Sequence, residues 1–273
     1  MKIYKSISEF NSLKDKLSEL SFVPTMGNLH AGHISLIDLA KQYDNEIISS
    51  IYVNRLQFNE KGDYEKYPKS LEEDIELLEM NGCDHLLLPD ESIIDNIDLI
   101  KASPKSNKLC GKNRPGHFDG VLTILNKFFK LIKPKLVIFG KKDYQQFLLV
   151  KEFIVENNFN IKIIGGNTIR EESGLALSSR NNLLSNKNKY LASHIYKVLN
   201  EIKLSKENLN EELITNKKNY LTELGFDVDY LTACDPSTLE DSFEIYKTDI
   251  LIAVAAKLGD VRLIDNILLS KLL

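Results

Sequence analysis

The chain has 273 residues, 43% of them hydrophobic and 27% charged, with a formal net charge of −4. That is enough apolar material for one large or two modest domains, and the acidic balance argues against a nucleic-acid-coating surface, which is usually basic. No apolar run approaches a membrane span and no apolar core follows Met1-Lys2-Ile3-Tyr4-Lys5 to make a signal peptide. Cys83, Cys110 and Cys234 are widely spaced and form neither a C-x-x-C pair nor a disulfide framework, so a reduced, soluble, cytoplasmic protein is the expectation.

In chain order, Phe10, Leu13, Leu17 and Leu20 fall at helical spacing and predict an amphipathic helix over Ser8 to Leu20. Ser21 to Val23 reads as a short buried strand, with Pro24 at its exit because proline donates no backbone hydrogen bond. From His33 onward Ile34, Leu36, Ile37, Leu39 and Ala40 fit a helix buried on one side. Glu46 to Val53 is a second strand, running out into Asn54-Arg55-Leu56-Gln57-Phe58-Asn59. Ser70 and Glu73 form a capping-box start for a helix through Met80, which Asn81-Gly82 ends. A strand at His85 to Leu88, a helix over Val121 to Ile132, a strand at Lys135 to Phe139, a helix over Tyr144 to Glu156 and a strand at Ile161 to Ile164 follow.

Buried strands alternating with amphipathic helices imply an α/β fold with a mostly parallel, doubly wound, Rossmann-like sheet. Beyond Asn182 the pattern changes to two polar helices, about Asn186 to Lys203 and Leu209 to Leu224, then strands at Val228 to Thr232, Ile250 to Lys257 and Val261 to Asn266, with a hairpin turn at Leu258-Gly259-Asp260. The expected division is a catalytic domain over 1–180 and a smaller α+β C-terminal domain over 181–273.

Chemistry concentrates where strands end. Phe22-Val23-Pro24-Thr25-Met26-Gly27-Asn28-Leu29-His30-Ala31-Gly32-His33 is strand, glycine-bearing turn and helix start. Unpaired N–H groups at a helix N-terminus favour a phosphate, and two histidines three apart there could stabilise charge as pyrophosphate leaves. An isolated H-x-x-H recurs by chance; this placement makes it informative. Asn54 and Gln57 are carboxamides at a strand exit, suited to hydroxyl and carbonyl groups of a ligand. Lys141 and Lys142 follow the strand-end Gly140 and can reach phosphate, while Asp143 could cap the next helix or accept from a ribose. Ser178-Ser179-Arg180 offers two hydroxyls and a permanent guanidinium charge to phosphate oxygens. The acids of Tyr67-Pro68-Lys69-Ser70-Leu71-Glu72-Glu73-Asp74 suggest magnesium, which is often held by one or two carboxylates plus phosphates, although helix capping competes for Glu73. His85 and His194 lack a partner motif, and the cysteines read as core residues.

These strings resemble, in order and in register, those of the pantothenate synthetase family within the HIGH-motif nucleotidyltransferases. The turn is similar to the family's P-T-M-G-x-L-H-x-G-H; Arg114-Pro115-Gly116-His117-Phe118-Asp119-Gly120-Val121 to R-P-G-H-F-x-G-V; Phe139 to Gln146 to F-G-x-K-D-x-Q-Q; and Arg170 to Asn181 to R-E-x-x-G-L-A-x-S-S-R-N, the counterpart of a K-M-S-K-S loop. The resemblance implies ATP contacts at Pro24, Thr25, Met26, Gly27, Asn28, Leu29, His30, Gly32, His33, Gly140, Lys141, Lys142, Asp143, Ile169, Leu177, Ser178, Ser179 and Arg180. It implies pantoate or β-alanine contacts at Asn54, Gln57, Arg114, His117 and Gln146, and magnesium at Asp74. Catalytic duty would fall to His30, His33, Lys142, Ser178, Ser179 and Arg180. The chain departs from the family pattern at Arg55, where a proline is usual, and at Lys141, often Glu. The implied reaction condenses (R)-pantoate with β-alanine through a pantoyl-adenylate, giving pantothenate, AMP and pyrophosphate, in a homodimer with no nucleic-acid or membrane partner. The rival readings are another HIGH-motif adenylyl- or cytidylyltransferase, which would keep the nucleotide on its product, and a catalytically silent nucleotide-binding protein.

Overall fold

A computed structural model describes residues 1–59, 61–65, 67–95 and 97–272. By packing, it divides into two compact units, one made of 1–106, 114–141 and 146–167, the other of 107–113, 142–145 and 168–273. Leu273, the last residue of the expected C-terminal domain, lies outside the described residues.

The first unit is a six-stranded sheet, all of its pairings parallel. Its strands are β1 (Lys2–Tyr4), β2 (Leu20–Thr25), β3 (Glu46–Ile51), β4 (His85–Leu87), β5 (Leu136–Gly140) and β6 (Lys162–Gly166), in the order β1-β4-β3-β2-β5-β6. From β2 the chain winds outward through β3 to β4, then returns to the other side of β2 as β5. The switch point is therefore the gap between β2 and β5, the place where a sheet of this kind leaves a crevice beyond its strand ends. Phe22, Val23, Ile48, Val137 and Ile138 are fully buried, as expected of parallel strands covered on both faces.

Four details differ from the expectations. The helix over Ser8 to Leu20 is shorter, Ile7–Leu13 with one tight turn at Lys14–Lys16. Ser6 caps it, accepting from the Glu9 N–H at 3.1 Å, and Leu20 belongs to β2. The strand β1, three residues at the sheet edge beside β4, is too short to show a period. Pro24 lies inside β2, paired with Ser50, but the ladder on the β5 side stops at Phe22, so the missing N–H interrupts nothing there. The helix expected from Val121 starts earlier and spans His117–Ile132.

The second unit holds an antiparallel sheet of β7 (Asp227–Cys234), β8 (Ile250–Leu258) and β9 (Val261–Leu269). Gly259 and Asp260 turn the β8–β9 hairpin, Gly259 at φ +61°. The helix expected over Asn186 to Lys203 breaks at Ser193 into Asn186–Ala192 and His194–Leu204, the Ser193 hydroxyl donating back to the Tyr190 carbonyl at 2.7 Å. Glu211–Glu223 completes the helical layer, capped by Asn210. Among the described residues no helix is long and apolar enough to cross a membrane.

Candidate active site

At the end of β2 the chain enters the left-handed region twice, at Gly27 (φ +82°) and Asn28 (φ +49°), before the Ala31–Ala40 helix. A side chain at Gly27 would also meet Asp74 Oδ2 at 3.0 Å and Ile51 Cγ2 at 3.1 Å, so glycine is required there by both conformation and space. The Thr25 hydroxyl donates to the Ser50 carbonyl at 2.7 Å and receives the Gly27 N–H at 3.3 Å, tying the turn to β3.

His30 is the N-cap of this helix and His33 lies in its first turn. His30 Nδ1 accepts from the Gly32 N–H at 3.1 Å and His33 Nδ1 from the His30 N–H at 3.3 Å, a capping box built of imidazoles with ring centroids 4.1 Å apart. Because each Nδ1 receives a backbone proton, each neutral ring carries its own proton on Nε2. Both histidines are thus held with Nε2–H as a donor, the form that can hydrogen-bond a phosphate oxygen.

The Asn54–Gln57 turn is fixed from within. Asn54 Oδ1 accepts from the Leu56 N–H at 3.2 Å, and its Nδ2 donates to the Gly120 carbonyl at 3.0 Å and to Gln57 Oε1 at 3.3 Å. Gln57 Nε2 contacts Met26 Sδ, joining this turn to the one after β2. Arg55, at the position where proline is usual, points outward with Nε 4.0 Å from Glu91 and leaves the turn intact. Arg114 and His117 support the same turn: His117 Nδ1–H donates to the Gln57 carbonyl at 2.7 Å, Arg114 Nη2 to the same oxygen at 3.2 Å, and Arg114 Nη1 to His117 Nε2 at 3.1 Å. Gly120 admits the contact, since a Cβ there would lie 2.2 Å from the Leu56 carbonyl oxygen.

Ser70 does not make the expected capping box. Its hydroxyl accepts no N–H of the first turn and is aimed at Asp74, donating to Oδ1 at 3.1 Å. Asp74 is 2% exposed, and it accepts from the Asn28 N–H at 2.8 Å and the Leu29 N–H at 2.7 Å. Among the described residues no group of three or more His, Cys, Asp or Glu side chains could hold a metal ion. The Asp74 carboxylate, buried and with three of its acceptor sites already taken, does not fit as an open magnesium site.

In the first unit Gly140 ends β5 and Lys141 follows it, with Gln146 half-buried at the start of the Tyr144–Glu156 helix. In the second unit Lys142 Nζ lies 4.0 Å from Asp143 Oδ2, and the Lys142 carbonyl accepts from Asn266 Nδ2 at 2.8 Å. Residues 169–177 form a small hairpin: the Leu177 N–H donates to the Ile169 carbonyl at 2.9 Å, Arg170 bridges Ala176, and Gly174 turns at φ +88°. The Ile169 carbonyl is thus already engaged. Ser178 caps the tight turn Ser179–Leu183, its hydroxyl accepting from the Arg180 N–H at 3.3 Å, and Ser179 is buried.

Sequence reasoning missed what anchors this hairpin. Arg170 forms a two-pronged pair with Asp265 on β9, at 2.5 Å and 3.0 Å, and stacks 3.9 Å above the Tyr196 ring. Gln145 was also missed; it accepts from the Cys110 N–H at 3.0 Å and donates to the Lys108 carbonyl at 2.7 Å. These partners lie far apart in the chain and carry no local motif. Burial pushes the Cys83 and Cys234 thiols up to about 12, so neither is an activated nucleophile.

The fold is that of a nucleotide-binding α/β enzyme, with a strand–turn–helix element beside the switch point of its sheet. A family model described as pantoate-beta-alanine ligase matches residues 2–268. The chain is 40% identical to the pantothenate synthetase of Marinomonas sp. (strain MWYL1) across 98% of this chain and 99% of the relative, and 39% identical to that of Methylobacillus flagellatus across 96% and 97%. Among solved structures, it is similar to pantothenate synthetase from Thermus thermophilus, with a TM-score of 0.91 at 33% identity over 98% of this chain and 99% of that one. It is also similar to pantoate-beta-alanine ligase from Francisella tularensis complexed with beta-gamma ATP and beta-alanine, with a TM-score of 0.84 at 37% identity over 98% and 97%. The chain belongs to the pantoate–β-alanine ligase family and is an enzyme that joins pantoate to β-alanine.

Proposed function

We propose that this enzyme activates pantoate with ATP as a pantoyl-adenylate and passes the acyl group to β-alanine, releasing pyrophosphate and then AMP. A carboxylate is a poor acyl donor because its leaving group would be oxide. In the first half-reaction the pantoate carboxylate oxygen attacks the α-phosphorus and the bond to pyrophosphate breaks. No protein nucleophile is needed; positioning and charge stabilisation carry the step. In the second, the amine of β-alanine attacks the acyl carbonyl, loses a proton and expels AMP.

The observation that carries this reading is the pair of histidines at the helix start, each with Nδ1 engaged by a backbone N–H and the ring proton therefore on Nε2. His30 and His33 act on phosphate oxygens, joined in that role by Lys142, Ser178, Ser179 and Arg180. The backbone of Pro24 to Leu29 with Gly32, Gly140, Lys141, Ile169 and Leu177 cradles the nucleotide, and Asp143 accepts from it. Gln57 and Gln146 orient pantoate. Asn54, Arg114 and His117 support Gln57 through the hydrogen bonds described. Magnesium enters as the counter-ion of the triphosphate, brought in with the substrate. The carry-over from the family extends to a homodimer, and three buried free thiols support a cytoplasmic setting.

Product analysis tests the reading. With ATP, pantoate and β-alanine together, pantothenate and AMP form in equal amounts, and neither forms when β-alanine is omitted. A product that retains the nucleotide would indicate a nucleotidyltransferase instead.

A further inference from the structure

We propose that Asp74 is a positioning residue for the nucleotide turn and not a magnesium ligand. The inference rests on the reading that the turn after β2 receives ATP.

Asp74 belongs to the first turn of the Leu71–Met80 helix, where an acid ordinarily serves its own helix dipole. Here the carboxylate serves a neighbour. Oδ1 receives the Leu29 N–H at 2.7 Å and the Ser70 hydroxyl at 3.1 Å, which uses both of its lone pairs. Oδ2 receives the Asn28 N–H at 2.8 Å and lies against Gly27, where an added Cβ would come within 3.0 Å. Three of the carboxylate's four acceptor sites are filled, so a metal ion could take more than one coordination bond here only by displacing donors, which would strand main-chain N–H groups in a nearly closed site.

The clamp acts where the backbone is least favourable. Asn28 is a non-glycine residue at φ +49°, directly after Gly27 at φ +82°, and such strain persists only where surroundings impose it. The two N–H groups that Asp74 grips are those of Asn28 and of Leu29, immediately before His30. The turn's shape therefore sets where the helix begins and where both imidazoles point. Ser70, whose hydroxyl also lies 3.4 Å from Asn28 Oδ1, is the second member of the clamp.

The test is Asp74→Asn, which keeps the size but turns one acceptor into a donor facing N–H groups. Three quantities are read on the full-length enzyme: kcat and KM for ATP in pantoate-dependent pyrophosphate exchange, the magnesium concentration giving half-maximal rate at fixed ATP, and the 15N–1H imidazole signals of His30 and His33. The expected result is a kcat lower by about 100-fold, the scale of a misplaced catalytic group, with an unchanged magnesium midpoint and histidine signals displaced from the Nε2–H pattern. A magnesium midpoint raised tenfold with unmoved histidine signals overturns the proposal, as does wild-type behaviour throughout. If Asp74→Asn does not fold, Ser70→Ala decides: a lower kcat with displaced histidine signals supports the clamp, and neither change overturns it. Wild-type histidine signals indifferent to ATP would remove the nucleotide-turn reading, and the clamp's role with it. A normal ATP response in the wild type and an identical one in Asp74→Asn would remove the clamp alone.

Discussion

In the parallel-sheet unit the polar groups of the site are held largely by the main chain. His30 and His33 each accept a backbone N–H, Gln57 offers its carbonyl to Arg114 and His117, and Asp74 grips two consecutive N–H groups. In the antiparallel-sheet unit the Arg170–Ala176 hairpin, just ahead of Ser178-Ser179-Arg180, is held by charge: Arg170 against Asp265, itself 3% exposed. Strand ends of a parallel sheet converge on one edge and present their turns together, so short hydrogen bonds suffice. A loop beside a three-stranded meander has no such convergence and depends on a distant, buried, two-pronged ion pair to fix its shape.

That contrast predicts its own breaking points. Asp265→Ala should give the largest effect, a stability loss of about 3–5 kcal/mol in denaturant unfolding, because it leaves the Arg170 guanidinium without its partner in a site only 17% exposed. A loss below about 1 kcal/mol, the range of an exposed ion pair, would mean that the Tyr196 ring alone holds the loop. Lys142→Ala and His33→Ala should each lower turnover by about 100- to 1,000-fold, as expected for loss of a group that stabilises developing phosphate charge, with the fold intact in both and a stability loss in His33→Ala no larger than that of a helix cap, about 0.5–2 kcal/mol; normal rates in either would remove its assigned role. Gly120→Ala should cost about 1–3 kcal/mol of stability by overpacking and raise KM for pantoate, since the new methyl would lie 2.2 Å from the Leu56 carbonyl oxygen. A normal KM would show that the Gln57 turn does not bear on pantoate.

The smallest effect lies away from the site, where His85 Nε2 meets Glu46 at 3.2 Å and Tyr4 meets His85 Nδ1 at 3.3 Å. Burial pushes Glu46 up, but hydrogen bonds from His85 and Ser18 outweigh it and hold the carboxyl below its usual range. A depressed folded value stabilises the protein above the unfolded value and loses that contribution as pH falls through the folded one. The melting-temperature gap between wild type and Glu46→Gln should therefore be constant near neutral pH and close below about pH 4, the ordinary glutamate range. A gap that persists in acid would assign it to packing.

Most of the sheet was legible because β2 to β6 are rich in apolar residues and alternate along the chain with helices. The turn after β2 could be read in sequence because its glycines and both histidines lie within one short contiguous stretch, Phe22 to His33. What stayed hidden depends on partners remote in sequence. Ser70 and Glu73 satisfy the capping-box spacing, yet the Ser70 hydroxyl is aimed at Asp74, the carboxylate that receives the Asn28 and Leu29 N–H groups. The hydrogen bonds of Asp74 to the turn were hidden for the same reason: its partners lie 45 and 46 residues earlier. Arg170 carries a motif, but Asp265 lies 95 residues away with none. The edge strand β1 has three residues, too few to display a period of two.

The proposed mechanism requires pantoate to be activated before β-alanine takes part. The most direct test is exchange of labelled pyrophosphate into ATP by the wild-type enzyme with pantoate present and β-alanine absent. Rapid exchange that requires pantoate is the predicted result. No exchange under conditions where the full reaction still makes pantothenate would contradict it, and the phosphate-facing groups would then have to act in a single concerted step.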